Sequence, residues 1–216
     1  MLLNPPERKA RKRYLQYKKH TEQMRQLLTT LFLGFIIISC DRLTETQDSL
    51  PAATKTGANT FGCKLNGVVF VPNKAIGSTV VERPLKVFGY YSNSQNSSSK
   101  IAAWRGEDVK NLLYIDVYIY KIDLIGKGLY NLGKAPQYDD SPPFYSYIKC
   151  RAVSPTTRQY KDYGSYENSG SIDVTYLSDD KLIMSGKFTG KLREINGTEE
   201  VEITEGRFDI NLKTLQ

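Results

Sequence analysis

Apolar and polar positions alternate with a period of two over most of the chain from Phe61 onward, the pattern of half-buried strands. TFGCKLNGVVFVP places Phe61, Cys63 and Leu65 on one face, then the pair Asn66-Gly67, then Val69 and Val71 on the returning strand. Asn-Gly between two such runs predicts a hairpin, because both turn residues must accept positive φ. PLKVFGYY predicts another strand, followed by the polar, low-complexity SNSQNSSSK. KIAAWRGEDVKN reads as a short helix or an irregular crossing. LLYIDVYIYKIDL is the longest strand candidate; KGLYNLG and PFYSYIKC follow, the latter with Phe144, Ser146, Ile148 and Cys150 in phase for the core.

The last third alternates most cleanly. GSIDVTYLSDDKLIMSGKFTGKL predicts a hairpin about Ser178-Asp179-Asp180, with Leu182, Met184, Gly186, Phe188 and Leu192 on one face. A turn at Asn196-Gly197 leads into VEITEGRFDINL, where Val201 and Ile203 are odd but Phe208, Ile210 and Leu212 are even. One extra residue at Glu205-Gly206, with the glycine left-handed, would make a β-bulge and restore the phase. The whole pattern predicts an all-β fold, an antiparallel β-sandwich or flattened barrel of about nine strands, in one domain over 57–216.

Ahead of this body stands a different pattern. Leu27 to Ser39 is an almost wholly apolar, uncharged run, too short for the roughly 20 residues a membrane-spanning helix needs but suited to a helical export signal. Ile37-Ile38-Ser39-Cys40 resembles a bacterial lipobox, in which the chain is cut before a diacylated cysteine, so Cys40 is the expected lipidation site. The expected divisions are a basic extension over 1–23, with Met24 the better start; a lipoprotein signal peptide over 24–39; and the lipidated cysteine with a flexible tether over 40–56. These place the protein as an outer membrane lipoprotein, periplasmic or surface-facing, joined to the membrane through its lipid.

Charge changes its meaning once that signal is set aside. The chain carries +7 overall, but the part from Cys40 onward holds 22 Lys and Arg against 21 Asp and Glu, so no nucleic-acid partner is expected. The sole histidine, His20, also lies upstream. That excludes Ser-His-Asp and Cys-His catalysis, His-based zinc sites and the two-His-one-carboxylate iron site. No cofactor, metal or catalytic residue is assigned. Cys63 and Cys150 both fall on apolar faces, either as a disulfide across the fold or as two separate buried thiols.

The chemistry that remains is carboxylate and tyrosine. Asp116 and Asp123, with Glu107-Asp108 before them, are candidates for two-carboxylate glycan hydrolysis; Asp139-Asp140 and Asp179-Asp180 are acidic pairs without a spaced calcium loop. Tyr114, Asp116, Tyr118 and Tyr120 share the outward face of the long strand. RQYKDYGSYENSG sets Tyr160, Tyr163 and Tyr166 in what reads as a polar loop. Aromatic planes beside Asp, Asn and Arg suit stacking on sugar rings or a protein contact; the alternative is a tyrosine ladder that stiffens the outer sheet face.

TGANTFGCKLNGVVFVP (56–72) and LIMSGKFTG…VEITEGRFDI (182–210) resemble the opening and closing signatures of an uncharacterised Bacteroidetes lipoprotein family. That resemblance implies a lipobox, a short tether and an all-β body, and brings no activity with it. The expectation is a non-enzymatic envelope module that binds a glycan or a protein; the alternatives are a carboxylate-dependent glycan hydrolase and a structural envelope component.

Overall fold

In a computed structural model the described residues are 17, 18, 21, 22, 49–73, 83–90, 98–106, 112–137 and 143–215. The chain divides into an N-terminal unit, Met1–Gln47, and a body, Asp48–Gln216. In the first unit, residues 17, 18, 21 and 22 are helical. No helix among the described residues is long and apolar enough to cross a membrane. Cys40, the signal segment, Glu107-Asp108 and Asp139-Asp140 lie outside the described residues.

The body is all-β. Its strands are β1 (Thr60–Leu65), β2 (Val68–Phe70), β3 (Leu85–Tyr90), β4 (Ser98–Arg105), β5 (Leu113–Ile119), β6 (Gly128–Asn131), β7 (Tyr147–Val153), β8 (Tyr160–Leu177), β9 (Ile183–Glu194) and β10 (Glu200–Asn211), with a one-turn helix α1 (Ile122–Ile125) between β5 and β6. They form a single antiparallel sheet in the order β2-β1-β10-β9-β8-β7-β5-β4-β3, with β6 paired to β8 outside that path. The sheet curls into a half-barrel. At one corner its two ends meet: the Asn73 amide donates to the Trp104 carbonyl at 3.1 Å, and the Arg105 guanidinium donates to the Val69 carbonyl at 2.9 Å.

The concave side holds the core, where Phe61, Ile101, Ile115, Val117, Ile148, Ile172, Phe188, Leu192, Ile203 and Ile210 are buried. Phe61 stacks on Phe188 with centroids 5.1 Å apart. Asn66 and Gly67 take φ of 49° and 80°, the hairpin turn that the sequence predicts. That two-residue turn pairs Cys63 with Phe70, so Phe70 rather than Val69 and Val71 returns to the core.

The bulge between Ile203 and Gly206 is present, with the roles of its residues exchanged. Glu205 takes the left-handed φ of 52°. Gly206 is required for space: an added Cβ would collide with the carbonyl oxygen and ring of Phe188.

Three further expectations are corrected. Residues 98–105, read as a helix or crossing, form strand β4, buried from Ser98 to Ala103. The long strand stops at Ile119, because Lys121 turns the chain at φ 50°. The Tyr120 and Lys121 amides find Ser146 and Ser98 hydroxyls, each at 3.0 Å, in place of a ladder. The polar segment around Tyr160–Tyr166 is the first half of the 18-residue β8, with Tyr163 paired to Cys150 on one side and Glu194 on the other.

The body also begins before Gly57. The buried Asp209 carboxylate accepts hydrogen bonds from the Thr54 hydroxyl (2.5 Å), the Thr56, Gly57 and Ala58 amides (3.0, 2.9 and 3.1 Å), and the Ser185 hydroxyl (2.7 Å). Burial alone would push this carboxyl up. The donors from Ser185, Thr54, Ala58 and Gly57 outweigh that and hold it far below the ordinary carboxylate range. Residues 54–58, half of which read as free tether, are therefore fixed to β10.

Candidate functional site: a groove over β8 and β9

A groove of about 780 Å³ lies over the outer side of β8 and β9, walled by segment 134–137 and Tyr145. A smaller hollow of about 270 Å³, lined by Lys149, Lys161 and Asp162, adjoins it and shares Gln137, Glu194 and Ile195. Two glycines shape the region. A Cβ on Gly164 would stand 2.7 Å from the Ala135 methyl, and a Cβ on Gly133 would stand 2.5 Å from the Tyr145 ring. Ala135 can therefore press onto the sheet, and Tyr145 can lie flat against backbone. Ser165 joins the pieces: its hydroxyl accepts from the Ile148 amide at 3.1 Å and donates to the Gly133 carbonyl at 2.8 Å.

The walls carry paired charges around aromatic planes. Arg193 holds its guanidinium 4.4 Å from the centroid of the Tyr166 ring and donates from Nη2 and Nε to Glu200 at 2.9 and 3.2 Å. Hydrogen bonding to Glu200 raises the arginine, and that to Arg193 lowers the glutamate. Lys161 bridges two carboxylates, Glu194 at 3.2 Å and Glu199 at 3.7 Å. Glu199 accepts from the Tyr163 and Ser154 hydroxyls at 2.5 and 2.9 Å, and the Tyr163 bond foremost holds it below the usual range. These groups present fixed donors and acceptors rather than loose charges.

The structure divides the predicted tyrosine face. Tyr166 lines the groove. Tyr114, its hydroxyl pushed up by burial and by neighbouring Asp162, donates to Asp162 at 3.0 Å at the far end of the smaller hollow. Tyr160 lies under the Arg151 guanidinium at 5.9 Å. Tyr163 is wholly buried, its hydroxyl joined to Glu199. Tyr118 is buried in a second small cluster with Tyr147 and Ala135, where the two tyrosine rings stack at 4.9 Å. Tyr120 packs edge-on against Phe144 at 6.3 Å. That phenylalanine, expected in the core, is exposed.

The carboxylate candidates also separate. Asp116 is buried, 3.8 Å from the Lys100 ammonium. Asp123 stands on α1, where it lines a different hollow of about 340 Å³ with Asp180 and Lys181. Cys63 and Cys150 are free, buried thiols in the same core cluster. Burial pushes the Cys63 thiol up to about 12 and the Cys150 thiol well above its ordinary value. Among the described residues no group of three His, Cys, Asp or Glu is placed to hold a metal.

Arg193 was legible as an outward position on β9. Lys134, Gln137 and Tyr145 reach the groove only through the 132–137 crossing, which no periodicity announces. No protein family, curated protein or solved structure matches this chain.

Proposed function

We propose that the protein is an outer-membrane lipoprotein, anchored through Cys40, whose β body binds a glycan in the groove over β8 and β9. The observation that carries the glycan reading is the pairing of Tyr145 and Tyr166 in one groove with Arg193, Glu194, Gln137 and Lys134. Aromatic planes give a sugar ring its apolar contact, and fixed charged side chains meet its hydroxyls. The volume lies within the range of small-ligand sites.

The lipoprotein reading rests on Ile37–Cys40 and on the resemblance of segments 56–72 and 182–210 to the Bacteroidetes family signatures. A physical link joins those two segments: the backbone of Thr56, Gly57 and Ala58 is held by Asp209. The two signatures thus describe one joined unit of structure.

Titration of the protein with envelope polysaccharide and its oligosaccharides, followed by calorimetry, tests the glycan reading. Saturable binding that Tyr166→Ala weakens by about ten-fold is expected. Absence of binding to every envelope glycan overturns it. Palmitate labelling lost in Cys40→Ala is expected for the anchor; labelling that persists overturns that part.

A further inference from the structure

The end of the sheet that carries α1 exposes large aliphatic side chains where a water-facing turn would normally be polar. Leu124, Ile125 and Leu129 are 66, 53 and 66 % exposed. Lys121 and Lys127 flank Leu124 and Ile125 in sequence, and Lys181 reaches across to donate to the Asp123 carbonyl at 2.8 Å. Asp123 itself faces the 340 Å³ hollow with Lys181 and Asp180. Aliphatic side chains between lysines are the composition of a protein surface resting among lipid headgroups, where stems and apolar groups enter the interface and ammonium groups meet phosphates.

The chain's own connectivity leads to the same end. The Asn59 side chain accepts from the Asn211 amide at 2.7 Å and donates to Thr214 at 2.8 Å. The Leu212 amide donates to the Leu182 carbonyl at 2.8 Å, next to Lys181. Hydrogen bonds therefore run from the docked 54–59 segment to the aliphatic knuckle. With residues 49–59 part of the body, only 41–48 separate it from Cys40. Eight residues have a typical span of about 15 Å and a limit of about 28 Å.

We infer that Leu124, Ile125 and Leu129 seat this end of the body on the phospholipid surface to which Cys40 anchors it. This rests on the lipoprotein reading above. The test uses the mature, palmitate-labelled protein in vesicles of phosphatidylethanolamine and phosphatidylglycerol. An environment-sensitive fluorophore is placed at Lys127→Cys or, as reference, at Glu167→Cys in the groove; Cys63 and Cys150 are buried and stay unlabelled. Spin-labelled lipid is expected to quench the probe at 127 several-fold more than at 167, and Leu124→Asp with Leu129→Asp is expected to abolish the difference. Equal, water-like emission at both positions on lipidated protein overturns the inference and leaves the anchor standing. A chain that takes no palmitate and stays off the vesicles overturns both.

Discussion

Gly206 lies directly beneath Phe188: a methyl group on its Cα would meet the phenylalanine's carbonyl oxygen and ring. Its neighbour Glu205 carries the left-handed backbone, at φ 52°. Gly206→Ala should therefore destabilise the body by about 2–3 kcal/mol through overpacking. Glu205→Gly should be neutral or stabilising by up to about 1 kcal/mol, since the left-handed conformation costs a side-chain-bearing residue. Thermal melts of the two variants check this. The reverse order would mean that the glycine is there for its φ.

Asp209 is the point at which the entering chain is fixed. Asp209→Asn should cost about 2–3 kcal/mol, the worth of charged hydrogen bonds, and trypsin should then cut after Lys55. The wild-type carboxyl is held far below its ordinary value of 3.8. Its contribution is therefore present above that value and is lost as pH falls toward the depressed one. Stability measured between pH 6 and 2 should decline for wild type more steeply than for Asp209→Asn.

The two core thiols should resist an aqueous disulfide reagent in the native protein and react together on unfolding. Their raised values add an alkaline signature. The thiol contribution is intact below about 9, the ordinary value, and for Cys63 is lost as pH climbs toward about 12. Protein that yields no thiol in denaturant without a reductant would show a disulfide instead.

Asp116→Asn distinguishes a structural carboxylate from a reactive one. Removing one member of the buried Lys100–Asp116 pair should cost about 3 kcal/mol, visible as a lowered melting temperature. An unchanged melt would place the carboxylate outside a stabilising pair.

Tyr145→Ala should weaken glycan binding about as much as Tyr166→Ala, by roughly 1–2 kcal/mol each. Tyr160→Ala, outside the groove, should leave the affinity unchanged. Calorimetry on the three variants separates a groove from a general tyrosine surface.

Much of this architecture is visible as alternation. The β1–β2 turn, the β8–β9 and β9–β10 hairpins and the bulge near Glu205 all follow from local rules of period and turn chemistry. What alternation misses is a strand buried on both sides. In β5, Ile115 and Val117 face the core, while Asp116 and Tyr118, read as an exposed face, are covered as well. The cover comes from distant pieces, Ala135 over Gly164 and Tyr147 against Tyr118, set by tertiary packing. β8 hides for a related reason. Its polar first half looks like a loop until Tyr163 finds Cys150 and Glu194 on either side.

β9 begins at Ile183, beside the hairpin tip that touches α1, and ends at Glu194 in the groove wall. Twelve extended residues span roughly 36 Å, so the strand acts as a spacer of fixed height between the two ends of the body. Adding or removing one inward–outward residue pair in β8 and β9 together would raise or lower the groove by about 7 Å without altering its lining. The working height of the groove would then be encoded in strand length rather than in the length of the tether.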